Sequence, residues 1–108
     1  LIMGATFKEN CPDIRNAKIK DTILELKAYK IVVEIFDPWV SNEEITREYN
    51  CNPVTQPQKN HYDAIIIAVA HNEFKAMGVR NIRSFGKSKH LLYDLKYVFK
   101  SSETDMRL

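Results

Sequence analysis

The chain has 108 residues, 44% of them hydrophobic and 28% charged, the balance of one soluble globular domain with a core of modest depth. A net charge of +2 is too small for a nucleic-acid surface, and the dispersed lysines form no polybasic patch for a membrane. The longest apolar run, Ala64 to Ala70, falls far short of the ~20 residues of a membrane-spanning helix.

The first apolar segment, Leu1 to Met3, reads as a strand running into Gly4. No initiator Met precedes it, so the chain is expected to be a domain cut from a longer protein. A loop of about ten residues follows, then a helix from Ile14 to Tyr29, with Asp13 at the N-cap and Pro12 closing the loop. Ile19, Ile23 and Leu26 share one face of that helix, with Ala17 and Leu24 alongside. The β-branched run Ile31 to Phe36 predicts a buried strand ended by Asp37-Pro38. A polar helix over 41 to 49 takes Ser41 or Asn42 as its cap. Cys51 to Asn60 holds two prolines and has room only for a short edge strand near Val54.

Residues 64 to 70 predict a central parallel strand covered on both faces. Two short helical pieces, 73 to 77 and 79 to 85, are split by Gly78. The strand 90 to 94 comes last, and the polar tail from 101 to 108 is expected to fray. Alternating strands and helices give an α/β three-layer sandwich, a mostly parallel sheet with helices on both faces. Cys11 and Cys51 have neither metal-ligand spacing nor the number for a disulfide framework, which points to a cytoplasmic setting.

Ligands of such folds sit at the carboxyl ends of the strands. Those ends are Gly4 to Lys8, Asp37, His71 with Asn72, and Asp94 to Lys96. The first turn has one glycine where a dinucleotide fold has three. In their place stand Phe7, which offers a flat apolar face to a ring, and Lys8, which offers a charge to a phosphate. A core Phe7 and a solvated Lys8 are the alternative. By spacing alone Arg15 pairs with Asp13, Asp37 terminates a strand, and His71 has no second base or metal ligand beside it. Cys11 has no adjacent histidine to activate it.

The segment "GATFKENCPDIRN" resembles the signature that opens the C-terminal, UDP-binding domain of the UDP-glucose/GDP-mannose dehydrogenase family. The resemblance continues through "YKIVVEIFDPWV", "YDAIIIAVAHNEF" and "YDLKYVF", spans residues 1 to about 100, and is strongest toward the branch acting on UDP-N-acetylhexosamines for surface polysaccharides. It implies a Rossmann-like fold and a UDP-sugar ligand. Phe7, Lys8 and Lys96 match residues on the substrate, and Arg15 matches an arginine on the NAD side of the cleft. It further implies a parent enzyme, a homodimer, whose missing N-terminal domain holds most of the NAD and whose missing middle domain dimerises. The catalytic cysteine would lie in the missing part, so Cys11 does not inherit that role. Where many relatives carry Thr and Ser this chain has Cys11 and Asn16, and where several have Arg it has Lys96, which keeps the charge and loses the bidentate fork. A stand-alone dinucleotide binder lacks its glycines here, and a receiver domain lacks its acidic pair and its phosphorylatable Asp. A structural module without a ligand is the remaining alternative.

Overall fold

A computed structural model describes residues 1–107. Six parallel strands form one sheet: β1 (Ile2–Met3), β2 (Glu34–Phe36), β3 (Asn52–Pro53), β4 (Tyr62–Ile67), β5 (Gly86–Asp94) and β6 (Met106–Arg107). Their spatial order is β3-β2-β1-β4-β5-β6, the doubly wound arrangement whose chain direction reverses between β1 and β4. Both halves of the sheet therefore point their carboxyl ends at one rim.

The two faces carry separate cores. Ile2 and Ile35 point to the face covered by α1 (Ile19–Ala28) and α2 (Asn42–Tyr49), where they pack with Ile19, Ile23, Ile45 and Tyr49. Met3, Ile65, Ile67 and Leu92 point to the opposite face, against Phe74 and Ile82 of α3 (Asn72–Arg83). Helices thus lie on both faces, as the alternation of elements predicts. They do not cover both faces equally. On the α1 side β4 and β5 have no helix over them, and Ala64 and Leu91 are exposed there.

Several expected boundaries move, each for a local reason. Helix α1 starts at Ile19 rather than Ile14, because Asn16 adopts a left-handed backbone (φ 58°) that no α-helix continues through. Asp13 accordingly caps no helix; its carboxylate accepts from the backbone N–H of Arg15 instead. Leu24, placed on the buried face by its spacing, is 53% exposed. The helix ends in a Schellman turn, with Lys30 left-handed (φ 62°), its N–H on Lys27 O and the Ile31 N–H on Leu26 O. That turn consumes Ile31 and Val32, which are exposed, so β2 begins only at Glu34.

The other expectations fare better. Ser41 caps α2, its hydroxyl accepting from Glu44 N–H. The edge strand forms beside Val54, whose N–H reaches Ile35 O. Gly78 (φ 78°, ψ 156°) breaks α3 into its two pieces. Strand β4 stops at Ile67, three residues short of Ala70, and β5 begins at Gly86 rather than His90.

The tail is the clearest correction. Through Arg107 it does not fray: a 3₁₀ turn at Ser101–Glu103 leads into β6, which pairs with Tyr93 and Asp94. The clamp is polar. Asp105 accepts from Leu92 N–H at 2.8 Å and from Arg83 at 3.1 Å, while Arg83 also donates to Glu103 O. Leu108 lies outside the described residues. Hydrogen bonds from Arg83 and Leu92 hold the Asp105 carboxyl below its ordinary value of 3.8. A depressed carboxyl stabilises the fold above its unfolded value, and that contribution disappears as pH falls through the folded value. Acidification below 3.8 should therefore release β6 first. Amide exchange of Leu92 and Met106 should accelerate there, and Asp105→Asn should reproduce that fast exchange at neutral pH with the rest of the sheet still protected.

Candidate functional site

The rim is organised by two buried aspartates at strand ends. Asp37, just past β2, has both oxygens committed. Oδ2 accepts from Ala5 N–H at 2.7 Å and lies 3.0 Å from His71 Nε2, and Oδ1 accepts from Trp39 N–H at 2.8 Å. The side chains of Asp37 and His71 are both fully buried, a placement a carboxylate tolerates only when every lone pair it presents is answered. Asp94 does the same at the end of β5, accepting from Lys96 N–H at 3.1 Å and Phe99 N–H at 2.9 Å.

The loop between β1 and α1 lies across this network. Gly4 begins it at φ 99°, where a Cβ would stand 2.6 Å from the Cβ of Val69. A side chain there would push β1 and β4 apart at the point where the chain leaves the sheet. Thr6 Oγ1 donates to Lys8 O and sits 3.3 Å from His71 Nε2. The Asn10 N–H donates to His71 Nδ1 at 2.9 Å, and Asn10 Oδ1 accepts from Asn72 N–H. Tyr49 of α2 donates its hydroxyl to Ala5 O; burial first, then Glu48 and Asp37, push that phenol well above its usual range, so it stays a donor. Between the two anchors, Phe7 and Lys8 face outward, Phe7 56% exposed.

Beside them is a cavity of about 500 Å³ on the α1 side, over the part of β4 and β5 that no helix covers. Phe7, Lys8 and Lys96 all line it, so the structure brings together three of the four residues singled out in the sequence. It adds Lys18 and Tyr93. The sequence hides Lys18 because the expected helix start at Ile14 places it inside a helix rather than at its mouth. Among the described residues, the ammonium groups of Lys8, Lys18 and Lys96 have no ion-pair partner, whereas Lys20 pairs with Glu48 and Lys87 with Asp63. Glu9 is the one acidic residue on the cavity wall. Apolar walls from Ile66, Val69 and Leu95 complete it. A site of this kind takes an amphipathic anion, its charge met at the rim and its ring on Phe7.

Arg15 is elsewhere. It borders a smaller depression of about 310 Å³ with Arg47 and Glu48, and its guanidinium pairs with Asp13 at 3.2 Å, 80% exposed. The pair lowers the Asp13 carboxyl, chiefly through the side-chain hydrogen bond, and raises Arg15. The pairing that spacing suggests is thus present, and Arg15 shares no cavity with Phe7.

Residues 1–101 match the UDP-glucose/GDP-mannose dehydrogenase family, UDP binding domain. The chain belongs to this family. It is 58% identical over its whole length to a UDP-N-acetyl-D-glucosamine 6-dehydrogenase of Salmonella typhi, and 56% identical to one of Pseudomonas aeruginosa. It spans about a quarter of the length of these curated relatives: 25% and 26%. Among solved structures it resembles a UDP-glucose dehydrogenase from Pyrobaculum islandicum, with a TM-score of 0.73 and 24% identity over 98% of this chain and 23% of that one. The UDP-N-acetyl-mannosamine dehydrogenase Cap5O from S. aureus gives 0.71 and 22% over 98% and 24%. At these identities the structures establish a shared Rossmann-like fold.

If Asp37 organises the rim, Asp37→Ala strands the N–H groups of Ala5 and Trp39 and leaves His71 without its carboxylate. The expected loss is about 3 kcal/mol of unfolding free energy, read by urea denaturation. Asp37→Asn, which keeps an acceptor, should lose less.

Proposed function

We propose that this chain is the nucleotide-sugar-binding domain of an NAD-dependent UDP-N-acetylhexosamine 6-dehydrogenase, and that the UDP-sugar occupies the cavity between Phe7, Lys8, Lys18 and Lys96. The observation that supports it most is the cluster of three lysines, without ion-pair partners among the described residues, that line one largely apolar pocket in a chain of this family. A diphosphate supplies the charge those ammonium groups lack, and a pyrimidine has the flat face that Phe7 matches. The 58% identity to a UDP-N-acetyl-D-glucosamine 6-dehydrogenase favours the N-acetylated sugars, as precursors of surface polysaccharide.

The rim does not fit a dinucleotide of its own. At the switch point between β1 and β4 the loop after β1 is tied to His71 through Thr6 and Asn10. Asp37, the acid placed to read a ribose, has both oxygens engaged. NAD in this reading would be held by the remaining three quarters of such an enzyme, where two NAD would each accept one hydride as the C6 alcohol is oxidised, with one water, to a carboxylate. Arg15 meets it only from the edge of this domain. This chain's own residues bind and orient; none of them performs the oxidation. The uncovered strip over β4 and β5 leaves room for the rest of a cytoplasmic, dimeric parent to close over the sugar.

Calorimetry with UDP-N-acetylglucosamine tests this reading. The chain should bind it, more weakly as salt rises. Lys8→Ala and Lys18→Ala should each weaken binding by about tenfold, roughly one charge-assisted hydrogen bond, and Arg15→Ala should leave it unchanged. A folded chain that binds neither UDP nor the UDP-sugar would make it a structural module.

A further inference from the structure

We propose that His71 is the positioning residue of the ligand loop, holding Phe7 and Lys8 in place only while its imidazole is neutral and protonated at Nε2. The proposal rests on reading the cavity as a UDP-sugar site, and deepens it by making that site responsive to pH.

The tautomer follows from the partners. His71 Nδ1 is 2.9 Å from the backbone nitrogen of Asn10, which can only donate, so Nδ1 carries no hydrogen. Nε2 is 3.0 Å from Asp37 Oδ2 and 3.3 Å from Thr6 Oγ1. Thr6 has spent its own hydrogen on Lys8 O, so both oxygens accept, and the hydrogen is on Nε2. Every site on the ring is then used.

A second proton has one place to go, Nδ1, and there it would face the Asn10 N–H. The ring is fully buried, and no water-exposed side of it can turn outward. Taking up the proton and keeping Asn10 in place are mutually exclusive. Asn10 is one of two anchors that bracket Phe7 and Lys8; the other, Thr6, contacts the same ring. Protonation therefore releases the segment that carries the ligand contacts, and by linkage a ligand that needs that segment holds the proton off.

The charged and titratable groups around the ring are few. Asp37 faces it from the end of β2, and Tyr49 reaches the same strand end from α2 through Ala5 O. Glu73 of α3 accepts from Trp39 Nε1, and Trp39 stacks on the imidazole at 5.9 Å. From the loop come Lys8, through its carbonyl on Thr6, and Cys11, next to Asn10. Phe74 meets the ring edge-on at 5.3 Å. His61 packs on Tyr62 and His90 bonds Arg83, both away from the rim. Trp39 is the only tryptophan in the chain, so its fluorescence reports on His71.

The test combines nitrogen-15 NMR of the histidines with UDP-N-acetylglucosamine binding across pH. At high pH the His71 signals should show a bare Nδ1 and a protonated Nε2. As His71 titrates, the Asn10 and Lys8 amides should lose exchange protection and Trp39 fluorescence should change in step, while affinity falls by about tenfold per pH unit, the slope of one proton. His71→Asn places an amide oxygen near the position of Nδ1 and cannot titrate; it should retain more affinity than His71→Phe and abolish the slope. His71→Phe, with no acceptor, should bind poorly at every pH. A proton on Nδ1 at high pH overturns the proposal. So does an Asn10 amide that stays protected while His71 titrates, a His71 that stays neutral until the chain unfolds, or a wild-type slope in His71→Asn. If the UDP-sugar binds at no pH, the functional reading fails, and the NMR signals of the wild-type chain still decide the latch, as they do if a variant does not fold.

Discussion

A buried carboxylate at the end of β2 is the constraint around which the ligand rim is built. Asp37 has no access to water, so its charge must be met by donors fixed in the fold. Those donors come from three places: the start of the β1 loop at Ala5, the turn after β2 at Trp39, and His71 between β4 and α3. One residue thereby fixes the relative positions of three strand ends. The loop over them inherits that order through Thr6 and Asn10, which is why Phe7 and Lys8 can project outward from a stretch with few apolar anchors of its own.

The second determinant is what the sheet lacks. Two helices cover one side of β1 to β3 and a third covers the opposite side of β4 and β5, leaving the α1 side of β4 and β5 bare. The cavity occupies that gap, between the α1 N-terminus and the loops after β1 and β5. Asp94 holds the loop of Lys96 as Asp37 holds the loop of Lys8. In an ordinary dinucleotide fold, glycines open the switch point so that backbone can touch a pyrophosphate. Here Thr6 and Asn10 of the loop after β1 bond His71 across the switch point, and Lys8, Lys18 and Lys96 line the cavity over the neighbouring strands.

Much of this was legible in the residues. The unbroken apolar stretch from Ala64 to Ala70 and the Asp37-Pro38 stop pointed to the parallel sheet, and Gly78 to the break in α3. The family motifs pointed to Phe7, Lys8 and Lys96, which line one cavity. What periodicity missed was set by backbone conformation and by distant partners. A left-handed Asn16 shortens α1 and a left-handed Lys30 exposes Ile31 and Val32, although neither residue type demands that geometry. Lys18 was unreadable for the first reason. The tail was unreadable for the second, since Arg83 and Asp105 lie 22 residues apart. His71 showed no companion in sequence because its partners, Thr6, Asn10 and Asp37, come from other strand ends.

The most direct measurement is a two-dimensional amide NMR titration of the chain with UDP-N-acetylglucosamine, which maps where the ligand sits without altering any residue. The shifts should concentrate at Phe7, Lys8, Ile19, Val69 and Lys96, with Arg15 and Arg47 unmoved. Shifts centred on Arg15 and Arg47 instead, or none at saturating ligand, would contradict a rim built by Asp37 to hold a nucleotide sugar over β4 and β5.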